Sequence, residues 1–196
     1  MICFELLAPG KYLPADYWRK QVPRCNRLEV ELGPGDGRFL IESGRAAERT
    51  LFVGFEIRAG SVSRMLESND FPANVKIFHF DASFIVRHLL ADNSVDAFHI
   101  YFPDPWWKKR HHKRRLVTPE MAVALKRCLT GSGKIYVITD VQPLFAEIRD
   151  CLEEAGFEMS DWQRDPGSPA QSSYERKYRR QGRVLEQGRF TISGVR

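Results

Sequence analysis

No apolar stretch in the 196-residue sequence approaches the ~20 residues that a membrane-spanning helix needs, which argues against a helical membrane protein. Cysteine is scarce. The four residues, Cys3, Cys25, Cys128 and Cys151, form no C-x-x-C pair. That spacing builds neither a zinc site nor a disulfide framework, so reduced thiols in a cytoplasmic protein are expected. The opening stretch, MICFELLAPGKYLP, lacks a basic segment followed by a long apolar run, and no secretory leader is expected. His111 and His112 have no acidic neighbours at ligand spacing, so no metal is expected. There is no internal repeat.

Hydrophobic residues make up 43%, enough for the core of one ordinary globular domain. The net charge of +5 is modest, but it is unevenly spread. Lys108 to Arg115 holds six Lys/Arg in eight residues, and Arg176 to Arg183 holds five in eight, both with aromatic neighbours. Such clustering is the electrostatic footprint of a nucleic-acid partner.

The first 26 residues are Pro-rich and mixed, and are expected to form a loop or docking arm before a domain of residues 27–196. From there, short β-branched runs alternate with helical patterns, the mark of βα units and a parallel sheet. Strands are expected at Arg27–Leu32, Leu51–Ile57, Val75–Phe80, Val95–Phe102 and Lys134–Thr139. Helices are expected near Gly37–Ala47, Arg58–Glu67, Ser83–Leu90, Pro119–Cys128 and Gln142–Ala155. Phe157–Trp162 and Arg189–Ile192 read as antiparallel edge strands around a polar loop, Arg164 to Gly188.

The first strand runs into Gly33-Pro34-Gly35-Asp36-Gly37. Alternating glycines permit a tight turn and let a ligand approach the backbone. A dinucleotide fold would place a third glycine where Arg38 stands, which weighs against a dehydrogenase. Acids follow at successive strand ends. Glu31 can meet a cationic group, Glu56 can accept from two ribose hydroxyls, and Asp81 can reach a base edge. Ligands of open α/β sheets bind outside these carboxyl ends. After the fourth strand, Pro103 and Pro105 hold Asp104 extended at the sheet's mouth.

YFPDPWWKKRHHKRRLVTPE (residues 101–120) is similar to the signature of the bacterial tRNA (guanine-N7-)-methyltransferases. Glu31 with its glycine turn, Gly54-Phe55-Glu56, Asp81-Ala82, Thr139-Asp140 and Ser172-Ser173-Tyr174-Glu175 follow in that family's order. The resemblance spans about residues 28–190. It implies a Rossmann-like class I methyltransferase fold: a mostly parallel sheet flanked by helices, with an antiparallel C-terminal edge strand. It also implies S-adenosylmethionine as cofactor and tRNA as partner, with methylation of a guanine N7 in the variable loop, by a monomer or homodimer. Cofactor contacts would come from Glu31, Gly33, Gly35, Gly37, Glu56, Asp81 and Asp104, with Asp104 also the catalytic group. Substrate contacts would come from Lys108, Asp140, Ser172, Ser173, Tyr174 and Glu175. The family's last stretch usually begins with Thr and has Phe third, where this chain has Ser172 and Tyr174.

Guanine N7 has an in-plane lone pair and no proton, so no base need act before attack. Alignment and charge stabilisation are the demands, and Asp104 suits both. Asp140 could accept from the guanine edge, with Glu175 a rival for that role. Lys109, Arg110, Lys113, Arg114 and Arg115 would meet RNA phosphates. Trp106 and Trp107 could stack on a base, although at least one is expected to pack. The alternatives are a methyltransferase for another RNA, one for a small molecule or a protein, which would not need basic flanks at the catalytic strand, and a silent RNA-binding protein, which would have lost its acids.

Overall fold

A computed structural model describes residues 17–67 and 71–194. The elements in order are α1 (Tyr17–Gln21), β1 (Arg27–Leu32), α2 (Arg38–Ala46), β2 (Thr50–Glu56), α3 (Ala59–Glu67), β3 (Val75–His79), α4 (Ala82–His88) and β4 (Val95–Tyr101). A 3-10 turn at Lys109–Arg114 follows, then α5 (Pro119–Cys128), β5 (Leu129–Thr139), α6 (Gln142–Glu154), β6 (Phe157–Ser160), α7 (Ser173–Arg180) and β7 (Glu186–Ile192). The strands form one seven-stranded sheet in the order β3-β2-β1-β4-β5-β7-β6. The first five pair in parallel, and β7 runs antiparallel to both its neighbours. Strand order reverses between β1 and β4, and the crevice at their carboxyl ends is where such sheets bind ligands.

Strand alternation divides the central strands between two unlike layers. Leu28, Val30 and Leu32 of β1 join Phe98 and Ile100 of β4 and Ile135 and Val137 of β5 in the large apolar core, with α4, α5 and α6. The other side of the same strands carries Glu29, Glu31, His99, Tyr101 and Tyr136, beneath Phe39 of α2 and Arg164. The alternation that usually marks a wet face here lines a second, polar interior, in which Glu31 is 2% exposed. Asp96 of β4 caps the strand pairing at the opposite end, its carboxylate accepting from Leu28 N at 2.8 Å.

The parallel sheet and its βα rhythm lie where the sequence put them, but three elements differ. The antiparallel strand is not at the edge: β7 inserts between β5 and β6, leaving β6 outermost. The expected polar loop from Arg164 to Gly188 contains α7 and the first part of β7. Helix α7 has one buried residue, Glu175, so it shows no apolar periodicity. It does carry a local start signal in Ser172, whose Oγ accepts from Glu175 N at 3.1 Å. In the expected arm, residues 1–16 lie outside the described residues, and Tyr17–Gln21 form α1. Trp18 packs edge-on against Phe55 and Phe78 at 6.2 and 5.7 Å and is 2% exposed.

Trp18→Ala is expected to lower unfolding free energy by about 3–5 kcal/mol, the range for truncating a large buried aromatic. Urea denaturation checks it. A loss below about 1 kcal/mol would mean that α1 does not dock on the core.

Candidate active site

The turn after β1 holds its shape through left-handed backbone at Gly33, Gly35 and Gly37, with φ of 78°, 62° and 73°. Gly37 is also hemmed in, since a Cβ there would lie 2.6 Å from Met65 Sδ. Two adjoining cavities open beside the turn. One, of about 660 Å³, is lined by Glu56, Asp81, Asp104, Lys113 and Arg114 among others. The second, of about 380 Å³, is lined by Glu31, Asp104, Asp140, Ser172, Ser173 and Tyr174 among others. They share Gly33, Arg58 and residues 101–104. Most of the residues picked out by the sequence therefore meet at one mouth. Lys108, Lys109 and Arg110 line neither cavity and are exposed.

The four strand-end acids sit in different surroundings. Burial pushes the Glu31 carboxyl up to about 8; Arg164 pulls it down, while Asp36 and Glu56 push it further up. Glu31 Oε2 is buried without a hydrogen-bond partner. Glu56 is already engaged: Oε1 accepts from Arg58 N (2.8 Å) and Nε (3.2 Å), and Oε2 from Gly35 N (3.0 Å). Of roughly four lone-pair positions, about one stays open, on Oε2. Asp81 caps α4 through Oδ1, which accepts from Ser83 N and Phe84 N at 2.8 and 3.3 Å. Asp104 is exposed at the junction of the cavities. Phe102 and Trp106 on either side of its prolines adopt φ of 50° and 46°. Positive φ at aromatic residues is costly and accumulates at functional sites.

Several participants carry no sequence signal. Arg164, 7% exposed, pairs with Glu175 Oε2 at 3.3 Å and lies over the Tyr101 and Phe39 rings at 4.4 and 4.8 Å. It also donates to the Ala170 carbonyl and lies 5.9 Å from the Trp162 ring. Glu175 is fully buried and also accepts from Arg179 at 2.9 Å, so it braces α7 from inside and does not line the cavity as a rival to Asp140. Asp140 Oδ2 accepts from Arg183 at 2.7 Å. Arg183 rests on the Tyr178 ring at 4.4 Å, and Tyr178 clusters with Phe102 and Tyr174 at 5.5 and 5.9 Å. Beneath them, His99 bridges the Tyr101 hydroxyl (2.7 Å) and Glu29 Oε2 (2.9 Å). Burial drives His99 below its ordinary value, and Glu29 only partly offsets that.

The basic run divides. Lys113 and Arg114 are exposed, with the Arg114 guanidinium 5.2 Å above Trp106. Arg115, expected to meet phosphate, is instead spent internally. Its Nε donates to the Pro105 carbonyl at 2.9 Å, and its other nitrogens meet Glu147 of α6 and His112. It fixes the loop that bears Asp104. Trp106 is the packed member of the tryptophan pair, and Trp107 is 72% exposed beside Asp104.

Residues 26–187 match the profile of a family described as "Putative methyltransferase". A tRNA (guanine-N(7)-)-methyltransferase of Pseudomonas paraeruginosa is 36% identical over 138 residues, covering 69% of this chain and 55% of that protein. The like-named protein of Xanthomonas oryzae pv. oryzae is 36% identical over 126 residues, covering 63% of this chain and 50% of its own. The chain spans about half the length of the curated relatives it matches. A solved structure titled an antibiotic-related methyltransferase superposes with a TM-score of 0.63 at 18% identity, covering 94% of this chain and 97% of that one. The 16S rRNA methyltransferase KamB gives 0.63 at 14%, covering 92% and 93%. At these identities the likeness is one of fold.

The raised carboxyl of Glu31 has a consequence for stability. Its folded value of about 8 lies above the ordinary 4.5, so between these limits the folded chain holds a proton that the unfolded chain lacks. That stability is complete below pH ~4.5 and is lost as pH rises through about 8. Glu31→Gln mimics the protonated form. Its stability relative to the parent should therefore rise by a few kcal/mol from pH ~5 to ~8.5. Parallel denaturation curves across that range test this, and a constant difference would refute the assignment.

Proposed function

We propose, since this chain belongs to the methyltransferase family matched over residues 26–187, that it transfers a methyl group from S-adenosylmethionine to N7 of a guanine in tRNA. The observation that carries the proposal is the unpartnered, buried Oε2 of Glu31, whose carboxyl group lines the cavity shared by Asp104 and Asp140. A buried acceptor without a donor is costly, and a cationic amino group would satisfy it. Bound there, S-adenosylmethionine supplies an electrophilic methyl group on a positively charged sulfur. Glu31 would hold its amino group, the open position on Glu56 a ribose hydroxyl, and the side of Asp81 not used in capping the base edge.

The acceptor side falls to the second cavity. Asp140 presents its remaining oxygen to guanine N–H donors while Arg183 holds the other. Phe102, Tyr174 and Tyr178 offer ring surface on which a purine can stack. Asp104 stands where both cavities meet and stabilises positive charge as it passes to the base. No side chain has to remove a proton from N7. Such an enzyme would act in the cytoplasm, with its substrate.

Incubation with methyl-labelled S-adenosylmethionine and bulk tRNA, followed by nucleoside digestion, should yield labelled 7-methylguanosine. A different labelled nucleoside, or none, would refute the assignment. Asp104→Asn keeps size and removes charge, and should slow single-turnover methylation on the order of 10²–10³-fold with the fold retained. A rate within about threefold of the parent would remove Asp104 from the catalytic role.

A further inference from the structure

We propose that the groove between α2 and α7 is a phosphodiester-binding wall, which grips the RNA chain on the side of the acceptor pocket opposite the 3-10 turn. The inference rests on the reading of the acceptor as a polynucleotide. Helix α7 has two faces. Inward, Glu175 is neutralised by Arg164 and Arg179. Outward, Arg176, Lys177 and Arg180 have no carboxylate partner among the described residues, and Lys177 lies only against the Tyr178 ring at 5.6 Å. These three and Arg38 line a groove of about 370 Å³. Lys177 continues into an adjoining space of about 380 Å³ with Arg58 and Arg64, where Asp36 is the one acid.

Two features set this cluster apart from a solvated basic surface. Arg176 and Arg180 stand at i, i+4 with Lys177 between them, a spacing at which like charges repel. The negative end of α7 accounts for Lys177 and Arg180 in the last turn but not for Arg176. Arg38 is less favourably placed still. It is the first residue of α2, at the positive end of that helix, and its Nε is buried without an acceptor. A phosphate oxygen in the groove would satisfy that donor and relieve the repulsion together.

Position gives the groove its role. Ser173 and Tyr174 line both the space with Arg58 and Arg64 and the acceptor cavity. Lys113 and Arg114 line the larger cavity, which adjoins the acceptor cavity along Gly33, Arg58 and residues 101–104. A strand with one base turned into the central cavity would meet a basic wall on each side of that nucleotide. Backbone contacts of this kind set register and carry affinity.

The test is tRNA binding by the full chain, without methyl donor, over a range of KCl concentrations. Arg176→Gln/Arg180→Gln should weaken binding about tenfold at low salt and reduce the log–log salt slope by about 2, one unit per lost phosphate contact. Affinity for S-adenosylhomocysteine should match the parent. Arg24→Gln/Arg49→Gln removes the same charge from exposed positions outside the groove and should leave the slope unchanged. An unchanged slope in the first variant, or an equal fall in the second, would overturn the proposal. So would a first variant that binds tRNA normally but has lost affinity for inorganic phosphate, which would mark a small-anion site. If tRNA is not methylated yet the slope falls as expected, the acceptor assignment fails and the wall stands. Methylation with an unchanged slope gives the reverse.

Discussion

The site depends on one buried guanidinium. Arg164 sits in the polar interior between Glu175 of α7 and the field of Glu31 at the end of β1. A lone buried charge costs several kcal/mol in desolvation, so Glu175 is paired with two guanidiniums, whereas the Glu31 carboxyl holds its proton below about pH 8. Together with Arg179, Arg164 encloses the Glu175 carboxylate, and the aromatic faces of Tyr101 and Phe39 seat the central cation. The arrangement joins parts of the chain far apart in sequence. Phe39 of the helix that follows the glycine turn, and Glu175 of the helix that bears Ser173 and Tyr174, both meet the same cation. A shift of either changes the electrostatic balance of the other.

This explains why Glu175, despite its place in a motif that looks like substrate-binding sequence, does not face the cavity. A carboxylate on the outer side of α7 would neutralise the basic surface and leave Arg164 unpaired. Facing inward, it closes the ion cluster and leaves the helix's cations exposed. Ser172 serves the same end by capping α7 through its hydroxyl, a role that tolerates Ser in place of Thr.

The sheet was legible in the sequence because its signals are local. β-branched runs, a glycine turn and strand-end acids each occupy a few adjacent residues. Glu31, Asp104 and Asp140 stand out in the same way, each at a strand's end, and they line one cavity. What sequence could not show was contact at long range. Arg164 reads as a polar residue in a loop until Glu175 and Glu31 are placed around it. Arg115 reads as one more cation of a basic run, and only the fold brings Glu147 of α6 and the Pro105 carbonyl to it. Helix α7 was missed because it buries almost nothing apolar, although Ser172 and Glu175 at cap spacing marked its start.

The insertion of β7 between β5 and β6 sets an order on assembly during synthesis. Until residues 186–192 have left the ribosome, β5 has a bare edge and β6 has no strand to pair with. The first five strands and their helices can gather most of the large apolar core before then, since they pair in parallel among themselves, and Phe190 of β7 completes it. The segment carrying Arg164 and α7 is strung between β6 and β7, so it is fixed in place only when that last gap is filled. The glycine turn and the strand-end acids therefore exist first as an open shelf. The wall that completes the pocket arrives with the final strand, and a nascent chain acquires its scaffold before it acquires its site.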